Sequence, residues 1–172
     1  MSLRLQPVGT QDMPVMYALL VLCGEHMHRT LGLSHWYPFR PYEAYQKQVD
    51  VNHLYAIYAD DCLAGTFTLN PQARAYYQPS LWADPDAKAL YFGLFGILPT
   101  FQGQGLGRWA MEQADALVEN EGYKAVRFDA VANHPTLLKF YDKLGYERRG
   151  VLSFQHPMMK DCVCYERTFE AR

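Results

Sequence analysis

The sequence predicts an α+β fold, a sheet carrying helices, and three observations predict it. Alternating or wholly apolar runs recur near both ends and in the middle of the chain, as strands of a covered sheet require. Between them stand stretches whose apolar residues return every three or four positions, the period of a helix. Residues 94–108, LFGILPTFQGQGLGR, pass from an apolar run through a proline to three glycines on alternate positions, and then into such a helix.

Taken in order, Leu3, Leu5 and Pro7 alternate as a first strand. Asp12 stands where a helix cap belongs, Pro14 falls in the first turn, and Val15, Met16, Leu19, Leu20 and Cys23 keep the helical period. Histidines, aromatics and prolines crowd residues 24–41, which predicts a loop, and a short helix follows over 42–49. Residues 53–59 and 63–69 are β-rich and flank Asp60-Asp61-Cys62, a hairpin signal. Residues 70–88 read as a long irregular passage whose aromatics argue against disorder.

Residues 91–98 suit a buried strand, where Gly93 and Gly96 mark a bulge or a close approach of another backbone. Pro99 ends it, because it has no N–H for a ladder. Leu106, Ala110, Ala114, Leu117 and Val118 then share one face of a helix over 106–121, which Gly122 closes. Residues 124–131 form another strand. Pro135 opens a helix with Leu137, Tyr141 and Leu144 on one face, and Gly145 ends it. Residues 146–154 and 163–169 close the chain as a hairpin around His156-Pro157.

Composition bounds the function. The 172 residues fit one domain, 1–172, with 49% apolar and 20% charged residues. A net charge of -2 without a dense basic run argues against a nucleic-acid partner. The apolar run at 17–23 is far short of the ~20 residues that cross a bilayer, and the first residues lack a secretory pattern. Cys162 and Cys164 read as two side chains on one strand face, since zinc sites usually gather about four clustered ligands. The expectation is a reduced, cytoplasmic protein with no membrane association and no metal.

The chemistry lies in residues 102–107. Glycines there permit positive φ and keep Cβ atoms out of a ligand's way, while their amides converge at a helix start, which favours an anion. A Walker A loop is excluded, because Gly107 is followed by Arg108 and Trp109 instead of lysine and a hydroxyl residue. A dinucleotide fingerprint starting at Gly103 meets Arg108 where its third glycine belongs.

Gln102, Gly105 and Gly107 match Gln/Arg-x-x-Gly-x-Gly/Ala, the acyl-CoA loop of the GNAT (GCN5-related N-acetyltransferase) family. Asn133 followed by LLKFYDKLGY resembles that family's second signature. The chain thus resembles a GNAT protein, most sharply over residues 89–146. The resemblance implies a mixed, mostly antiparallel sheet of six or seven strands with helices on both faces, an α/β/α arrangement, and acetyl-CoA between two splayed strands.

It also implies roles. The amides of Gly103, Gln104, Gly105 and Gly107 would hold the pyrophosphate. Backbone at Ile97 and Leu98 would meet the pantetheine arm, with a free N–H there polarising the thioester carbonyl. Asn133 would hydrogen-bond the same arm, and Arg108, Lys139 or Lys143 would meet the 3'-phosphate. Tyr141 would protonate the departing thiolate, although its place on an apolar face equally suits a core residue.

The acceptor is a small-molecule or peptide amine, and it must lose a proton before attack. The strand over 91–98 offers no carboxylate for this, which leaves Glu25, His26, His28, His35 and Asp129 as candidates. Two aromatic-rich loops, 24–40 and 70–88, would line the acceptor, with Trp36, Tyr37, Tyr77 and Trp82 as contacts. A silent acyl-CoA-binding domain of the same fold is the alternative, and a homodimer is left open.

Overall fold

The structure is a computed structural model that describes residues 1–157 and 159–170. The elements run β1 (Leu3–Pro7), α1 (Met13–Leu31), α2 (Tyr42–Gln48), β2 (Leu54–Ala59), β3 (Cys62–Asn70), β4 (Ala89–Ile97), α3 (Leu106–Asn120), β5 (Ala125–Val131), α4 (Pro135–Lys143), β6 (Glu147–Leu152) and β7 (Cys162–Thr168). The strands form one mixed seven-stranded sheet in the order β1-β2-β3-β4-β5-β7-β6. The pairs β1–β2, β2–β3, β5–β7 and β6–β7 are antiparallel and β4–β5 is parallel. Among the described residues no helix is long and apolar enough to cross a membrane.

By internal contacts the chain divides into two compact units, Met1–Leu69 with Gly93–Gln113, and Asn70–Phe92 with the residues from Ala114 on. In the first unit, Met13, Met16 and Leu20 of α1 meet Tyr45 of α2 and Leu54 and Ala56 of β2 in an apolar cluster. The β2–β3 hairpin turns through Asp60 and Asp61 at φ 46° and 64°, the left-handed pair that a two-residue turn between twisted strands demands.

Helix α1 is longer than the sequence predicts. It continues through residues 25–31, where the sequence predicts a loop, and stops at Gly32, where φ is 67° and the N–H reaches the His28 carbonyl at 3.0 Å. Gly24 does not break the helix, because its missing side chain makes room for the returning chain: a Cβ there would lie 2.2 Å from the Trp36 carbonyl oxygen. Asp12 occupies the cap position but makes no side-chain cap bond. What approaches Gly96 is not another backbone but side chains of α1: a Cβ on it would lie 3.1 Å from Leu20 Cδ2 and 3.2 Å from Cys23 Sγ. The left-handed residue of β4 is Leu94, at φ 46°, rather than Gly93.

In the second unit a buried charge pair joins β5 to β7. Arg127 and Glu166 face each other in register, 1% and 0% exposed, with Nε donating to Oε1 at 2.9 Å. Arg127 also donates to the Asp84 carbonyl at 2.6 Å and to the Tyr91 hydroxyl at 3.3 Å, and its guanidinium lies 5.1 Å from the Trp82 ring centroid. Glu166 accepts from Arg149 at 2.7 Å and from the Ala83 N–H at 3.0 Å. One pair therefore fastens β5, β6, β7 and the passage 82–84 together. On α4 the buried residues are Leu138 and Tyr141, while Leu137 and Leu144 are only half-buried.

Glu166→Ala leaves the Arg127 guanidinium buried without its anion, and breaking such a pair costs about 3 to 5 kcal/mol. Urea unfolding is expected to show a loss of that size, and a smaller one when Arg127→Met and Glu166→Leu are combined.

Candidate functional site

In the first unit, β4 ends at Ile97, a single 3-10 turn spans Pro99–Phe101, and α3 begins at Leu106. Between them Gly103 and Gly105 take φ values of 74° and 86°, which other residues adopt only under strain. A Cβ at either would meet no heavy atom within 4 Å, so the space over the loop is open. Gln102, Gly103, Gln104, Gly105 and Arg108 are exposed and Gly107 is half-buried, whereas Leu106 is 1% exposed and anchors the helix start.

The first helical bond runs from the Trp109 N–H to the Gly105 carbonyl at 3.1 Å. Ahead of it the amides of residues 103–108 meet no acceptor among the described residues. The opening amides of any helix lack intrahelical partners and carry the positive end of its dipole. The loop's glutamines build it: Gln102 Nε2 donates to the Ile97 carbonyl and Gln104 Nε2 to the Thr100 carbonyl, each at 2.9 Å.

The free N–H expected at Leu98 is not present. It donates to the Ala64 carbonyl at 2.8 Å, because β3 presents that oxygen beside the end of β4. The Ile97 carbonyl accepts from Gln102 and, at 3.4 Å, from the Cys23 thiol.

In the second unit, Asn133 is exposed in the turn after β5, and the cap of α4 is its neighbour His134, whose Nδ1 accepts from the Leu137 N–H at 3.3 Å. Asn133 borders a shallow hollow of ≈ 490 Å³ with Ala132, His156, Pro157, Met159, Lys160 and Asp161. Tyr141 is 5% exposed, its ring 4.6 Å from Phe128 and 5.4 Å from Tyr165. Burial, then the neighbouring Tyr165 and Asp129, push its phenol well above the ordinary value, and its hydroxyl has no hydrogen-bond partner among the described residues. Lys139 and Lys143 are exposed.

Of the other candidates, Glu25, His26 and His28 lie on α1 itself, and His28 stacks on Tyr37 at 4.1 Å. His35 and Trp36 are half-buried, with Trp36 edge-on to Phe39 at 5.8 Å. Tyr37 is 41% exposed, but Tyr77 and Trp82 are only 8% and 6% exposed and pack with Cys164 and Tyr91. Asp129 accepts from both Tyr76 and Tyr77. Sequence reasoning passed over Arg74, whose backbone carbonyl accepts from the Tyr77 N–H at 3.0 Å. The available signal was Asp129 itself, a carboxylate two positions after Arg127 on β5.

A sequence model of the acetyltransferase (GNAT) family matches residues 16–146. An uncharacterized N-acetyltransferase, YesJ of Bacillus subtilis (strain 168), is 28% identical over 103 residues, 59% of this chain and 57% of that protein. The match thus spans little more than half of that relative's length. A GNAT-family acetyltransferase from Streptococcus agalactiae 2603 superposes with a TM-score of 0.76 at 16% identity, covering 98% of this chain and 96% of that one. One from Elizabethkingia anophelis with acetyl-CoA bound gives 0.68 at 14% identity, covering 97% and 98%. At these identities the structural likeness is one of fold.

The cap of α4 titrates. Burial holds the His134 imidazole below its ordinary pKa, and protonation removes the lone pair that accepts from Leu137. The unfolded chain therefore binds a proton more readily than the folded one, and stability falls as pH drops below about 6.5. An N-cap contributes about 1 kcal/mol. Thermal unfolding at pH 7.5 and pH 5 is expected to show a smaller difference for His134→Asn, which keeps an acceptor without titrating, than for the parent.

Proposed function

Because the chain belongs to the acetyltransferase (GNAT) family, we propose that it moves an acetyl group from acetyl-CoA to an amine, by direct attack within a ternary complex. The observation that carries this reading is the run of amides over residues 103–108 that meet no acceptor among the described residues, leading into a 15-residue helix. Such a run binds a pyrophosphate through its N–H groups and the helix dipole, and any side chain at Gly103 or Gly105 would stand in the way.

In this reading the amides of Gly103, Gln104, Gly105 and Gly107 take the pyrophosphate, while Gln102 holds the loop in shape. Arg108, Lys139 and Lys143 are exposed cations suited to the 3'-phosphate. Asn133 hydrogen-bonds the pantetheine arm. With the Leu98 N–H given to Ala64 and the Ile97 carbonyl to Gln102 and Cys23, that arm donates to the Leu98 carbonyl, which accepts one bond from the Phe101 N–H and keeps a second lone pair, and runs alongside Ile97.

The amine enters as an ammonium whose pKa of ~10.4 leaves roughly one molecule in a thousand unprotonated at pH 7, a cost of about 4 kcal/mol. Once free, its lone pair attacks the thioester carbonyl, the C–S bond breaks, and sulfur leaves with the bonding electrons. Tyr141 gives its proton to that sulfur and takes the one the nitrogen sheds. Its raised pKa keeps the phenol protonated, so the acid form is always at hand. The same shift makes full transfer harder than in water, and the phenol therefore acts first as a hydrogen-bond donor to the developing thiolate.

The acceptor is a small-molecule or peptide amine. Trp36, Tyr37, Tyr77 and Trp82 are its proposed aromatic contacts, Tyr37 being the most exposed of them. All four cysteines are free thiols, in keeping with a cytoplasmic setting.

Two measurements test the reading. Gly105→Val puts a β-branched residue at a φ of 86°, and calorimetry is expected to show acetyl-CoA affinity lowered at least about tenfold with the circular dichroism spectrum retained, since the amides lose their approach. Tyr141→Phe is expected to lower turnover ~10² to 10⁴-fold while the acetyl-CoA dissociation constant stays put, the usual worth of a general acid. A parent protein that binds acetyl-CoA and acetylates no amine would instead be a silent binding domain.

A further inference from the structure

The hollow beside Asn133 holds an amine of the protein's own. Asn133 stands in the turn after β5 and Lys160 in the connection between β6 and β7, and the two line one hollow of ≈ 490 Å³ within the second unit. Among the described residues lining it, Lys160 is the only lysine, whereas Lys139 and Lys143 stand on α4 outside it. Lys160 is exposed and makes no ion pair among the described residues.

The backbone on either side of that amine is fixed. The Ala132 N–H donates to the Asp161 carbonyl at 2.8 Å, which ties the end of β5 to the residue after Lys160. The Cys162 thiol donates to the Lys160 carbonyl at 3.4 Å, and the Met159 N–H to the His156 carbonyl at 3.2 Å. Lys160 is therefore carried beside Asn133 on a tethered stretch of chain. Its stem of four flexible carbons ends in a compact head, a form that reaches across a hollow of this size.

In the acetyltransferase reading Asn133 hydrogen-bonds the pantetheine arm, and that arm ends in the thioester. A lysine of the same hollow then meets the thioester at an effective concentration on the order of millimolar, with no second molecule to capture. An amine in solution has to be bound first.

We propose that Lys160 is a self-acetylation site, taking the acetyl group of acetyl-CoA bound to its own chain. This rests on the acetyltransferase reading above. The Lys160 ammonium first gives a proton to water. Its Nζ lone pair then attacks the thioester carbonyl, a C–N bond forms, the C–S bond breaks, and sulfur leaves with the bonding electrons. Nitrogen sheds a second proton and sulfur takes one up, so the products are an amide, CoA and the proton already in water. The amide carries no charge, and the hollow loses its lysine cation.

The experiment incubates the full chain with acetyl-CoA, with and without a panel of amines, and follows each lysine by peptide mass spectrometry. Lys160 is expected to be acetylated at least about tenfold faster than Lys139 or Lys143, at a rate constant independent of protein concentration, as transfer within one chain requires. Excess CoA is expected to suppress that advantage, and so is Gly105→Val, which closes the cofactor loop. Lys160→Arg is expected to remove the labelled peptide while acetylation of the added amines continues. A rate constant that rises with protein concentration would overturn the proposal, because one chain would then be modifying another. Equal labelling of the three lysines, or labelling of Lys160 untouched by CoA and by Gly105→Val, would overturn it too, since acetyl-CoA free in solution would be the donor. Amines acetylated with Lys160 unmodified would remove the self-acetylation and leave the acetyltransferase standing. Bound acetyl-CoA with neither amines nor Lys160 acetylated would remove both.

Discussion

A charged pair sealed from water is costly unless every donor and acceptor on it is matched, and in the second unit that requirement organises much of the surrounding structure. Arg127 is met by Glu166, by the Asp84 carbonyl and by the Tyr91 hydroxyl, and Glu166 by Arg149 and the Ala83 N–H. Three strands and a loop segment are committed by these contacts. Trp82 lies over the guanidinium, which explains why a ring in a long irregular passage is 6% exposed. Apart from a 3-10 turn at Pro79–Leu81 the passage is irregular, yet its backbone at Ala83 and Asp84 is held by charge-assisted hydrogen bonds.

The candidate cofactor loop follows the opposite principle. Its amides are left open, because the start of α3 has nothing of its own to fill them, and two left-handed glycines keep their approach clear. The polar side chains present are turned to construction: Gln102 and Gln104 tie the loop to the carbonyls of Ile97 and Thr100. An anion-binding surface made of backbone needs no charged side chain and carries no penalty of burying one.

Tyr141 and Asp129 show how burial assigns chemical character. The phenol on α4 is enclosed by Phe128, Tyr146 and Tyr165 and is thereby held in its protonated form. Asp129 collects two phenolic donors on one oxygen. Tyr76 and Tyr77 pack as rings and donate as phenols, so an aromatic residue can serve the packing and still satisfy a carboxylate.

The sequence by itself determined what depends on a few neighbouring residues. The helical and strand periods, the hairpin at Asp60 and Asp61, the helix ends at Gly122 and Gly145 and the strand–glycine–helix order around residues 94–108 are written in local backbone preference, as are the two motifs that mark the family. Only the tertiary structure decided which distant group each polar atom meets. Helix α1 runs on through residues 25–31 with Gly24 giving the Trp36 backbone its room, the Leu98 N–H goes to Ala64, the α4 cap is His134, and Arg127 finds Glu166 39 positions away. The physical reason is range: a φ angle or a 3.6-residue period is set within one turn of chain, whereas a buried donor takes whichever acceptor the assembled fold brings within about 3 Å.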